Sequence, residues 1–136
     1  MNEFVSSVAG LPAFLLYFGL ALVLVVVFLV IYMWVTPYDE LALIRTGDTA
    51  AAISVSGALI GFVLPLASAI AHSVSWLDMI IWGAIALVVQ LAVFFIVSRV
   101  VPQLSKAISD GGTAQATLLA AASVSIGIVN AACMST

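Results

Sequence analysis

Residues 11–35 read LPAFLLYFGLALVLVVVFLVIYMWV, and the only ionisable side chains in that run are Tyr17 and Tyr32. Wound as a helix at about 1.5 Å per residue, it extends about 37 Å. That exceeds a hydrocarbon core about 30 Å thick. Three more runs follow it. Residues 49–71 and 79–98 hold no ionisable group, and residues 113–134 hold none except Cys133. A water-soluble domain of this size could not bury four such segments. In lipid each needs only to satisfy its own backbone, which a helix does. The sequence therefore predicts an all-α, multi-pass membrane protein with four transmembrane helices.

Outward from these runs, the rest of the chain is thin. Hydrophobic residues make up 65 % of the 136 residues and charged ones 7 %, with the charges in the gaps. That leaves room for one four-helix transmembrane domain over 1–136 and short connections. Three basic residues are too few for a phosphate-binding patch, so nucleic acid is not an expected partner. A lone cysteine excludes an internal disulfide and a cysteine-rich metal site, and no cofactor is expected. Met1-Asn2-Glu3 lacks the basic start of a secretory signal, and the run behind it is too long for a signal core. The first run is expected to stay as a helix.

The basic residues set an expected orientation. Arg45 follows run one, and Arg99 and Lys106 follow run three, so all three fall on one side of a four-span topology. The positive-inside rule puts residues 36–48 and 99–112 in the cytoplasm and both termini outside.

The punctuation between the runs repeats. Phe18-Gly19, Ala21-Leu22-Val23 and Pro37 match Trp82-Gly83, Ala86-Leu87-Val88 and Pro102. Gly47-Asp48-Thr49-Ala50 matches Gly111-Gly112-Thr113-Ala114 at a spacing of 64. The spacing predicts two repeated helical hairpins, about 11–71 and 76–134. Each inner connection reads as a short amphipathic helix at the cytoplasmic interface. In the first, Thr36 caps the helix, Pro37 stands at its first position and Gly47 ends it. Tyr38, Leu41 and Ile44 would share its apolar face, while Asp39, Glu40 and Arg45 look to water. Trp34, Tyr38 and Trp76 fit aromatic belts. Ser75-Trp76-Leu77-Asp78 fits a capping box opening run three.

Candidate functional residues are few. Catalysis in lipid needs an ionisable group or a metal within a span. Every Asp and Glu lies in a loop or tail, which speaks against a proton-coupled exporter and against an enzyme. His72, at the end of run two, reads as an interfacial residue rather than a ligand. Asp39-Glu40, Arg45 and Asp48 read as a solvated loop or a docking patch. Gln90 should lie near bilayer mid-depth, with Ser56, Ser123 and Ser125 at similar depth, as interhelical hydrogen-bonding groups or a polar lining. Gly57, Gly61 and Pro65 form a small-residue stripe on run two. Ser123, Gly127 and Ala131 form another on run four. Either stripe suits tight internal packing or a subunit interface. Pro65 should kink its helix, and Asn130 is expected to bond the carbonyl that Pro65 frees.

Thr36-Pro37-Tyr38-Asp39-Glu40, Asp48-Thr49-Ala50-Ala51, residues 57–66 (GALIGFVLPL) and Asn130-Ala131-Ala132-Cys133-Met134 resemble the YjfL-like family, domain of unknown function 350. The resemblance runs from about Phe14 to Met134. It implies a bacterial inner-membrane protein of four helices built from a repeated two-helix unit. It also implies a part in envelope maintenance, because relatives are encoded beside phage-shock-type stress proteins and ATP-grasp ligases. It supplies no catalytic residues. The expected function is an oligomerising membrane scaffold that recruits cytoplasmic envelope-stress partners. The alternative is an oligomeric conduit lined by Gln90, the central serines and Asn130.

Overall fold

The structure, a computed structural model, describes residues 2–134. Seven helices follow in order: α1 (Asn2–Ala9), α2 (Leu11–Val35), α3 (Glu40–Arg45), α4 (Thr49–His72), α5 (Trp76–Val100), α6 (Leu104–Ser109) and α7 (Thr113–Met134). Among the described residues, four helical segments are long and apolar enough to cross a membrane: Asn2–Val35, α4, α5 and α7. The first is 34 residues because α1 runs on into α2. Its start is a helix where the sequence suggested a tail.

The core centres on α4 and α7. Gly57 meets Ala120, and Gly61 meets Ser123 and Gly127. Further along, the Ser68 hydroxyl donates to the Ala131 carbonyl at 3.2 Å. Partner positions rise together, so α4 and α7 run parallel. α5 lies against both. Its buried residues Met79, Gly83, Ala86, Gln90, Val93 and Val97 recur at alternating steps of four and three, one continuous helix face.

α2 is the outermost helix and packs on α4 and α5. It buries only Phe28 and Tyr32. Phe28 stacks on Phe62 with ring centroids 4.4 Å apart, and Tyr32 meets Phe94 edge-on at 5.9 Å. The remaining Val, Leu and Phe side chains of α2 are largely exposed, as befits a surface solvated by acyl chains.

Side-chain caps fix the helix starts. Asp48 Oδ1 accepts from the Ala50 and Ala51 amides at α4. Ser75 Oγ accepts from the Asp78 amide at α5, while the Asp78 carboxylate reaches back to the Val74 amide. Gly47 (φ 91°) and Gly111 (φ 88°) hold the left-handed turns after α3 and α6.

The first connection departs from its expected form. α3 begins at Glu40 with Asp39 as its cap, accepting from the Ala42 amide. Thr36 and Pro37 instead belong to the end of α2 and the link beyond it. The faces differ too. Glu40 is 0 % exposed, whereas Leu41 is 49 % exposed. Tyr38, expected in an aromatic belt, is buried, while Trp34 and Trp76 are exposed. In the second connection, Leu104 and Ile108 of α6 are buried as apolar anchors.

Candidate functional site

Two polar clusters stand out against this apolar background. The first lies where α4, α5 and α7 meet. Gln90 and Ser123 are both buried, and Gln90 Nε2 donates to the Ser123 carbonyl at 3.1 Å. Gln90 Oε1 has no hydrogen-bond partner. A methyl group on Gly61 would come within 2.7 Å of Gln90 Nε2 and would collide with the Ser123 carbonyl. Small residues there let the helix backbones close on one another.

Pro65 is buried inside α4, which continues through it. It leaves the Gly61 carbonyl without its usual amide donor four residues on. That carbonyl lies against Gly127, where any side chain would overlap it. The expected bond from Asn130 is absent. The Asn130 Nδ2 is buried without a partner, and Gly127, one turn earlier, lies against the freed oxygen. Gln90, Ser123, Gly61 and Gly127 are thus brought together. Ser56 and Ser125 are not, since both are exposed on the outside of the bundle.

Beside the Gly57 contact, α4 and α7 leave an open groove of about 550 Å³. Its lining is mostly apolar: Ile53, Ile60 and Val124 flank the small residues Gly57, Ala120 and Ala121, and Ser56 and Thr117 carry its two hydroxyls. Ser56, Thr117 and Ala121 are exposed there.

The second cluster sits where α2 ends, α3 begins and α4 starts. Tyr32, Thr36, Tyr38, Glu40 and Ser54 are all buried. The Thr36 hydroxyl donates to Glu40 Oε1. Glu40 Oε2 and the Tyr32 and Tyr38 hydroxyls lack hydrogen-bond partners. No cation offsets the carboxylate: Arg45, Arg99 and Lys106 are exposed, and among the described residues none pairs with it. Burial, reinforced by the nearby Asp39 charge, pushes the Glu40 carboxyl up to about 7 against the opposing Thr36 hydrogen bond. Burial likewise pushes Tyr38 up to about 12, with the Glu40 and Asp48 charges adding to it and the nearby Ser54 hydroxyl, which donates to the Ala51 carbonyl rather than to the phenol, opposing only by proximity.

This cluster escaped the sequence reading, which placed Glu40 in water. The available signal was spacing: Tyr32, Thr36 and Glu40 recur every four residues, a polar stripe that continues off the end of an apolar helix. His72 is exposed, with Nδ1 2.9 Å from the Ser68 carbonyl. Among the described residues, no three His, Cys, Asp or Glu side chains gather as metal ligands.

Comparison with known proteins places the chain among membrane proteins without an assigned activity. The family model described as Domain of Unknown Function (DUF350) matches residues 6–134. The chain is 44 % identical over 125 residues to the UPF0719 inner membrane protein YjfL of Escherichia coli strain K12, covering 92 % of this chain and 95 % of that protein. It is 30 % identical over 87 residues to the UPF0719 transmembrane protein YshE of Bacillus subtilis strain 168, covering 64 % of this chain and 65 % of the relative. No solved structure matches it.

Proposed function

This chain belongs to the DUF350 family, and from that premise we propose that it is a non-catalytic, oligomerising scaffold of the bacterial inner membrane. The observation that carries this reading is the α4–α7 groove. A lipid-facing surface gains nothing from small or hydroxylated side chains. Yet Ser56, Thr117 and Ala121 are exposed at the groove, where a second copy's helix could approach closely and engage the hydroxyls. The conduit alternative has less support, because Gln90 is buried within one chain with its Nε2 on the Ser123 carbonyl, and Ser56 and Ser125 lie apart from it.

Two finer readings accompany the scaffold. The order long helix, short helix, long helix occurs twice, and Gly47 and Gly111 share a left-handed turn 64 residues apart. Both facts support a duplicated hairpin. The basic residues support cytoplasmic α3 and α6, with both termini periplasmic. Leu41, Arg45 and Lys106 on these short helices, and Asp39 at the cap of α3, are exposed and would meet cytoplasmic envelope-stress partners there.

Cysteine cross-linking tests the oligomer. In a Cys133→Ser background, Ser56→Cys or Thr117→Cys should give dimers in native membranes. Val30→Cys, on the outward face of α2, should not. Equal yields at all three positions would count against a specific interface.

A further inference from the structure

We propose that Glu40 is a proton-binding site, exchanging a proton with the aqueous phase at its end of the bundle, and that α3 is docked on α4 while the carboxyl is protonated and loosens when it ionises. This inference is independent of the oligomer reading.

The geometry carries it. Glu40 is fully buried, and it opens a six-residue helix whose other side chains are exposed or half-buried. A carboxylate buried without a counter-charge is costly, and neutralisation by a proton is the usual escape. Thr36 serves one oxygen, and the other is open. Tyr32 and Tyr38 lie near enough to feel the Glu40 charge, and neither phenol hydroxyl has a hydrogen-bond partner. Neither phenol bonds Oε2, so no neighbouring donor stabilises the charged form at that oxygen, and a proton bound there neutralises it. On ionisation, the same phenols can only partly replace the lost hydration.

The groups around Glu40 leave no other source of neutralisation. α2 contributes Tyr32 and Thr36, and the link contributes Tyr38 and Asp39. α4, against which α3 packs, contributes Asp48 at its cap and Ser54. All of these are acidic or uncharged. The basic residues of α3, α5 and α6 point out to solvent. A metal cation is the competing ligand, but it prefers about six or more oxygen ligands, and the site offers fewer unpartnered ones.

The test uses the whole protein in lipid nanodiscs. Infrared difference spectra are recorded as pH is raised from 5 to 9, with Glu40→Gln as the reference. The protonated-carboxyl band should disappear with a midpoint near 7 in the wild type, and this transition should be missing from Glu40→Gln. Amide hydrogen exchange at residues 40–48, corrected for intrinsic pH dependence, should rise at least severalfold above the midpoint in the wild type and stay slow in Glu40→Gln. Thr36→Val keeps the carboxyl, removes the donor to its ionised form and should move the midpoint upward, so the proposal remains testable if Glu40→Gln does not fold. A midpoint in the ordinary carboxylate range, or exchange that ignores pH, overturns the proposal. So does a midpoint that follows the choice of sodium or a bulky organic cation at fixed ionic strength, which would make the site one for metal ions.

Discussion

Gly61 and Gly127 face each other across α4 and α7 with only backbone between them, and the carbonyl that Pro65 leaves unbonded lies in that contact. The pair fixes how closely the two parallel helices approach, and the approach in turn brings Gln90 onto the Ser123 carbonyl.

Gly61→Ala should therefore destabilise the bundle by about 1–3 kcal/mol, the usual cost of forcing extra volume into a packed interior. Gly127→Ala should behave alike. Gly19→Ala has open space around it and should be neutral or slightly stabilising. Thermal unfolding of the three variants in one detergent makes the comparison.

Gln90→Leu should cost less than its central position suggests. It removes one hydrogen bond, worth about 0.6 kcal/mol on average between membrane helices, but also an amide oxygen that is buried without a partner. A net change below about 1 kcal/mol is expected. Ion flux in proteoliposomes should be indistinguishable from wild type.

Much of this architecture was legible in the sequence, because uninterrupted apolar length is read almost directly as a membrane span. The small-residue stripes were legible too, although periodicity alone could not say that Gly57 and Gly61 face α7. Glu40 was not legible. A loop Asp-Glu pair ordinarily means solvated charge, and only the chain's turn after Thr36 folds the second carboxylate beneath α2. Asn130 failed for a similar reason: its polarity predicted a partner, but whether a neighbouring glycine would lie against the freed oxygen instead is a matter of helix register.

Asp48→Ala should cost about 1 kcal/mol, typical of a lost helix cap, because it removes the acceptor for the Ala50 and Ala51 amides. Asp48→Asn should restore most of that. Hydrogen exchange in the first turn of α4 should separate the two variants.

Stability should fall as pH rises from about 4.5 to about 7 and level off above that. The folded chain holds the Glu40 proton up to about pH 7, whereas an unperturbed carboxyl releases it near 4.5. The contribution is complete below the lower value and is lost as pH climbs through the upper one. Melting temperature in a detergent series from pH 5 to 8.5 should decline in the wild type and stay flatter in Glu40→Gln. At pH 8.5, Glu40→Gln should be the more stable protein.

Native mass spectrometry of the full chain released from lipid nanodiscs tests the scaffold reading most directly. A dimer or larger assembly that falls apart when the α4–α7 groove is filled by Ser56→Phe or Ala121→Phe is the predicted result. A wild-type protein that emerges only as a monomer across a range of mild release conditions would contradict it.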